Sequence, residues 1–238
     1  MNGDKLYKEI ISYCEANYNQ ANVEKYSRYF RGSYDAWGLS QPQVNDKVKE
    51  LSKNKEISLE VIFDASELLF NSGKYEEISF VLLLINARDK HYTIETLEKI
   101  EKLFEIGIYN WAHADTLGMM VLPKFVKNNI VDYSYFNNWI FSTFKFQRRS
   151  AAVTIIKNIK TIDNIEKLFA IIEPLMIDTE REVHQGAGWF LKKAWEKYPA
   201  ETEIFLMKYK NTSPRLIFQI ACEKMEKNYR LKFRKEKN

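Results

Sequence analysis

Apolar residues recur every three to four positions along almost the whole chain, as in LEVIFDASELLF (59–70) and IETLEKIEKLFEI (94–106). That spacing is the period of an amphipathic helix. The period-two alternation between turn pairs that marks strands is nearly absent. The pattern predicts helices at about 4–18, 21–30, 42–54, 58–72, 75–90, 93–106, 111–127, 133–145, 148–160, 164–176, 179–198, 200–210 and 213–227. Start signals stand at Ser58, Thr93, Asp163 and Ser213-Pro214, and stop signals at Gly73 and Gly107. From residue 58 onward these helices pair with a period of about 35–40 residues, the length of a HEAT-type repeat. An all-α chain is therefore expected: an α-helical solenoid of HEAT-like repeats curved around a concave basic cleft. No composition break suggests a linker, so residues 1–238 are expected to form a single domain, with 228–238 a basic C-terminal tail. In such a stack the second helix of each pair faces the concave side. Those are the helices beginning near 75, 111, 148, 179 and 213.

Composition narrows the classes without choosing among them. Apolar residues make up 45% of the chain and charged residues 29%, as in a folded protein with a polar surface. No apolar run is long enough for a membrane span, and the N-terminus lacks the hydrophobic stretch of a signal peptide. The expected location is the cytoplasm. The net charge of +4 is mildly basic. Much of it gathers in the tail at Arg230, Lys232, Arg234, Lys235 and Lys237, read as a frayed solvated end or a phosphate contact. Cys14 and Cys222 read as reduced core thiols, and His91, His113 and His184 lack metal-ligand spacing. No Gly-rich phosphate loop or nucleophile elbow is present. No cofactor is expected, and the chain is taken to be a monomer.

The expected inner helices carry unusual side chains. YNWAHADTLGMM (109–120) places Trp111 and Asp115 four residues apart, hence on one helical face, with His113 pointing elsewhere. QRRSAAV supplies Arg148 and Arg149, and SPRLIF supplies Arg215. In REVHQGAGWFLKKAW, Gly186 and Gly188 each cost about 1 kcal/mol relative to alanine inside a helix, which points to a close approach by another backbone. Trp189 follows directly.

WAHAD (111–115), RRSAA (148–152), GAGWFLKKA (186–194) and SPRLIFQIACEKM (213–225) resemble the landmarks of the AlkD-like DNA alkylation repair family. KYSRYFRGSYDAWGLSQPQ (25–43) resembles its N-terminal tyrosine-bearing helix and the turn after it. The resemblance implies a HEAT-like glycosylase that excises bases alkylated at ring N3 or N7 from double-stranded DNA. It casts Asp115 as catalytic aspartate, with Trp111 and Trp189 as indoles flanking the lesion's sugar and backbone. Arg149, in preference to Arg148, matches the cleft arginine and Tyr26 the cleft tyrosine, while Arg215 and Lys192 join them on the DNA. Ala112, His113 and Lys192 depart from the family's usual residues, which bears on substrate range more than on fold.

The chemistry is self-consistent. Glycosidases mostly use two carboxylates, one to protonate the leaving group. A purine alkylated at N3 or N7 is already cationic and leaves neutral, so one anion beside the developing oxocarbenium suffices. The expected role of Asp115 is to stabilise that cation and position water, while Arg149 and Arg215 hold flanking phosphates. No lysine stands out as a Schiff-base nucleophile, so no strand nicking is expected. No insertion wedge or deep aromatic pocket is evident in the sequence. Two other readings remain open on sequence alone: a non-catalytic protein that binds damaged, bent or branched DNA, and a protein-binding helical scaffold.

Overall fold

Polar caps start several helices where the sequence places them. In the computed structural model, which describes residues 1–236, the Ser58 hydroxyl accepts a hydrogen bond from the Val61 amide and opens the helix Leu59–Ser72. Thr93 and Thr96 form a reciprocal capping box before Ile94–Ile106. Gly73 ends its helix with a left-handed φ of 71°, a conformation that costs glycine nothing. Gly107 has extended backbone, and what it supplies is space: a Cβ there would lie 2.0 Å from Phe70 Cδ1. Two expected starts fall elsewhere. The Asn164 side chain, not Asp163, accepts from the first helical amide of Glu166–Ile172, and Pro214 flanks Arg215–Ala221 instead of entering its first turn.

In chain order the α-helices are α1 (Gly3–Ala16), α2 (Gln20–Ser27), α3 (Gln41–Lys53), α4 (Leu59–Ser72), α5 (Tyr75–Asn86), α6 (Ile94–Ile106) and α7 (Trp111–Thr116). They continue as α8 (Leu122–Lys127), α9 (Lys145–Thr154), α10 (Glu166–Ile172), α11 (Arg181–Lys197), α12 (Pro199–Tyr209) and α13 (Arg215–Ala221). No strand occurs among the described residues, and no helix there is long and apolar enough to cross a membrane. The chain is all-α, as expected. Several predicted helices are less regular than their periodicity suggests. The stretch 111–127 is interrupted by a π-helical turn, Leu117–Val121, placed just ahead of Pro123. Proline offers no N–H to the preceding turn, so the α ladder cannot run through it. The predicted helix at 133–145 is a 3₁₀ segment, Tyr133–Phe141, rich in Ser134, Asn137 and Asn138, which favour turns over helix. The tail ends of 148–160 and 164–176 also tighten to 3₁₀, the second around Pro174.

The chain divides into two units, Met1–Thr116 and Leu117–Asn238. In the first, α4 packs on α1 and α5, and α5 packs on α3 and α7. Ile10, Ile62, Phe80, Leu97 and Phe104 are buried in its core. The loop after α2 is tied down by two buried carboxylates at the start of α5. Glu76 accepts from the backbone amides of Trp37, Gly38 and Leu39 at 2.8–3.0 Å, and Glu77 accepts from the Trp37 indole and the Ser72 hydroxyl. Burial pushes both carboxyls above the usual carboxylate range, against the hydrogen bonds that pull them down.

The second unit is built around α11, which packs on α9 and α13. Gly188 makes the α11–α13 approach possible, since a Cβ there would meet the Ile217 carbonyl oxygen and Ile220 Cβ, each at 2.9 Å. Of the two glycines of GAG, Gly188 does mark a close backbone approach, as the sequence suggested. The basic tail is neither frayed nor simply solvated. Phe233 is fully buried, and Tyr229 and Lys232 both bond to Glu203 of α12. Lys237 lies outside the described residues.

Candidate functional site

In the first unit, α7 carries Trp111 and Asp115 one turn apart, as the i, i+4 spacing requires. Trp111 is exposed and Asp115 half-buried. The Trp111 indole N–H donates to the Tyr29 carbonyl at 3.2 Å, and one face of the indole lies near-parallel to the Phe30 ring, centroids 5.7 Å apart.

His113 occupies the opposite, buried face of α7. Its Nε2 lies 3.0 Å from the Tyr75 carbonyl and its Nδ1 2.8 Å from the Asn110 side-chain amide. A carbonyl only accepts, so Nε2 carries the proton and donates it, while Nδ1 accepts from Asn110. The ring also stacks on Tyr75 at 4.7 Å. Burial drives its pKa down to about 4, overriding the Tyr75 carbonyl, so the imidazole is neutral at pH 7. His113 thus pins α7 to α5 and fixes which face of α7 presents Trp111 and Asp115.

Sequence reading missed a hollow of about 250 Å³ in this unit. Tyr26 and Trp111 line it together with Tyr29, Phe30, Tyr34 and Tyr75. Its rings come from three places in the chain, which is why no single stretch announced it. The available signal was the aromatic density of YSRYFRGSY.

In the second unit α9, α11 and α13 lie side by side and carry the remaining candidates. The two arginines differ sharply. Arg148 is engaged internally, with a two-pronged bond to Asp178 at 2.7 and 3.2 Å and a further bond to the Ser142 carbonyl at 2.7 Å. Arg149 is 5% exposed, and its Nη1 donates to the Glu182 carbonyl at 2.8 Å. Gly186 leaves room for its stem, since a Cβ there would lie 3.2 Å from Arg149 Cγ. Burial suits Arg149 to a fixed electrostatic or positioning role better than to gripping a phosphate in solvent. Trp189 is half-buried on α11, Arg215 is exposed at the start of α13, and Lys192 is ion-paired with Glu223 at 2.8 Å. The π-helical turn packs on α9 at Gly118, where a Cβ would meet Val153 Cγ1 at 2.8 Å and the Ser150 carbonyl at 3.1 Å. Such turns recur at functional sites because they re-aim the chain. Among the described residues no group of three or more His, Cys, Asp or Glu is arranged to hold a metal ion.

The profile of a family described as DNA alkylation repair enzyme matches residues 10–225. The chain belongs to that family. Solved structures agree on the fold of this repair-family chain. A protein from Enterococcus faecalis, described as a predicted DNA alkylation repair enzyme, superposes with a TM-score of 0.76 at 14% identity, over 89% of this chain and 98% of its own. AlkD2 from Streptococcus mutans gives 0.58 at 17% identity, over 87% and 97%. The smu.31 protein of Streptococcus mutans UA159 gives 0.54 at 18%, over 77% and 100%. No curated protein sequence matches the chain. At these identities the neighbours establish the fold, and the family profile establishes the membership.

Proposed function

We propose that the chain is a monofunctional DNA glycosylase that releases purines alkylated at N3 or N7 from duplex DNA. The observation that carries this reading is the pairing on α7 of an exposed Trp111 with a half-buried Asp115 one turn away, in a chain of the alkylation repair family. A cationic purine departs as a neutral molecule, so the protein needs no general acid. What it must supply is negative charge beside the deoxyribose as that sugar becomes cationic. At an effective dielectric of about 20, two unit charges at about 4 Å interact by roughly 4 kcal/mol. That is about three decades of rate, an upper limit for a single carboxylate. Asp115 takes this part and orients the attacking water. The indole face of Trp111, on the same helix as Asp115, adds cation–π attraction of about 0.5–2 kcal/mol. In the second unit, the exposure of Arg215 at the head of α13 supports a contact with a phosphate, and the burial of Arg149 supports a positioning role. Arg148 and Lys192 contribute less to DNA contact, since each is neutralised by an acidic partner.

The reading predicts a sharp dependence on the leaving group. Duplex DNA containing 7-methylguanine should lose that base, whereas the same duplex containing uracil, whose departure needs protonation, should be left intact. Both are read by chromatography of the free base. Binding of both duplexes with no base release would replace the glycosylase with a binding protein.

A further inference from the structure

We propose that two copies of this chain pair through the second unit, the exposed ridge of α12 on each copy docking in a groove between the 3₁₀ segment Tyr133–Phe141 and α10 of the other. The pairing goes beyond base excision and does not depend on it. The groove has a volume of about 430 Å³, far more than the voids of a close-packed interior. Ile140 and Phe141 belong to one wall, and Lys167, Ala170, Ile171 and Pro174 to the other. Phe141 is 75% exposed. Ile177, 67% exposed, follows Pro174 by three residues in a 3₁₀ turn, where such positions eclipse, so it prolongs the second wall. Single exposed apolar residues are ordinary on a protein surface, but two bulky ones on the walls of one groove call for a cover.

The matching ridge is on α12. Thr202, Phe205 and Leu206 are buried, which turns Glu201, Ile204 and Met207 outward. Ile204 is 73% exposed, and Met207 lies one turn away on the same face. Helices that dock in grooves carry their anchors at this spacing. Charge supports the fit. Among the described residues Lys167 is the one charged side chain lining the groove. Its bond to Asp163 is an exposed i, i+4 pair at 3.3 Å, which is readily exchanged. Glu201, one turn before Ile204, brings the opposite charge to it. A second copy is favoured over an unrelated partner because both complementary surfaces lie on this chain. They also flank one helix: α10 packs on the 3₁₀ segment, and its Phe169 stacks on Phe205 of α12 at 4.7 Å. The same contact is therefore made twice about a two-fold axis, closing the assembly at two. Arg149, Trp189 and Arg215 sit on α9, α11 and α13, none of which supplies the groove or the ridge. The monomer expected from sequence is then the dilute form.

Sedimentation velocity of the full-length protein, loaded from about 5 to about 500 µM, reads the pairing, since the dimer population follows protomer concentration. Wild type should pass from monomer to dimer across that range. Ile204→Asp and Phe141→Asp should each weaken association at least about tenfold, the loss expected of a central apolar anchor. Both side chains are exposed in the single chain, so the fold should survive, as circular dichroism would verify. Lys167→Glu and Glu201→Lys should each weaken association, and the two together should restore it. Wild type monomeric at every loading, or a dimer that either Asp variant leaves intact, would overturn the proposal. Charge reversals that add instead of compensating, or growth beyond the dimer, would overturn it as well.

Discussion

His113 shows how one buried side chain can set which face of α7 its neighbours occupy. It stands between Trp111 and Asp115 in sequence yet faces the other way, buried against Tyr75 and bonded to its carbonyl. Its folded pKa of about 4 lies below the ordinary histidine value, so the unfolded chain holds the proton more tightly between the two. Stability from the neutral ring is therefore fully present above about pH 6.5 and is lost as pH falls towards 4. Between pH 7 and pH 5 this group alone should cost about 2 kcal/mol of unfolding free energy. In urea melts at the two pH values, His113→Gln should be less stable at pH 7 but lose less than wild type on acidification. Parallel losses in both proteins would mean that the ring is not the titrating group. The raised carboxyls of Glu76 and Glu77 act in the opposite sense, and the comparison cancels them.

At the scale of elements, periodicity reveals where helices lie and not how regular they are. Helices α1 to α6 follow their apolar stripes and caps to within a few residues, because Ser58, Thr93 and Gly73 act locally. The turn at Leu117–Val121 could be read only by weighing Pro123 against an otherwise unbroken stripe. The paired glycines of α11 were legible as a close approach, but which helix approaches them was not. Their two environments give opposite expectations. A Cβ at 188 meets a carbonyl oxygen and a Cβ at 2.9 Å, whereas one at 186 meets Arg149 Cγ at 3.2 Å and needs that stem to shift by only a few tenths of an ångström. Gly188→Ala should force α13 from α11 and cost about 1–3 kcal/mol despite better helix propensity. Gly186→Ala should stay within about 1 kcal/mol of wild type, since the gain in propensity offsets a small shift of the stem. Denaturant midpoints at constant m value would decide, and equal effects would refute the close approach at 188.

For the whole molecule, charge was the least informative quantity. A net +4 hides how its cations are spent: Lys47, Arg148, Lys192 and Lys232 all serve internal ion pairs. The tail, read as a frayed end or a phosphate contact, is docked through Phe233. Family membership was legible from ordered short motifs, because each places a particular side chain at a helix position that the fold presents. The aromatic hollow was not, because its walls meet only in three dimensions. The account turns on one anion serving a sugar that becomes cationic, and single-turnover release of 7-methylguanine tests it most directly. Asp115→Asn should slow release by at least about tenfold while leaving duplex affinity within about twofold. Equal rates for the two proteins would contradict the account.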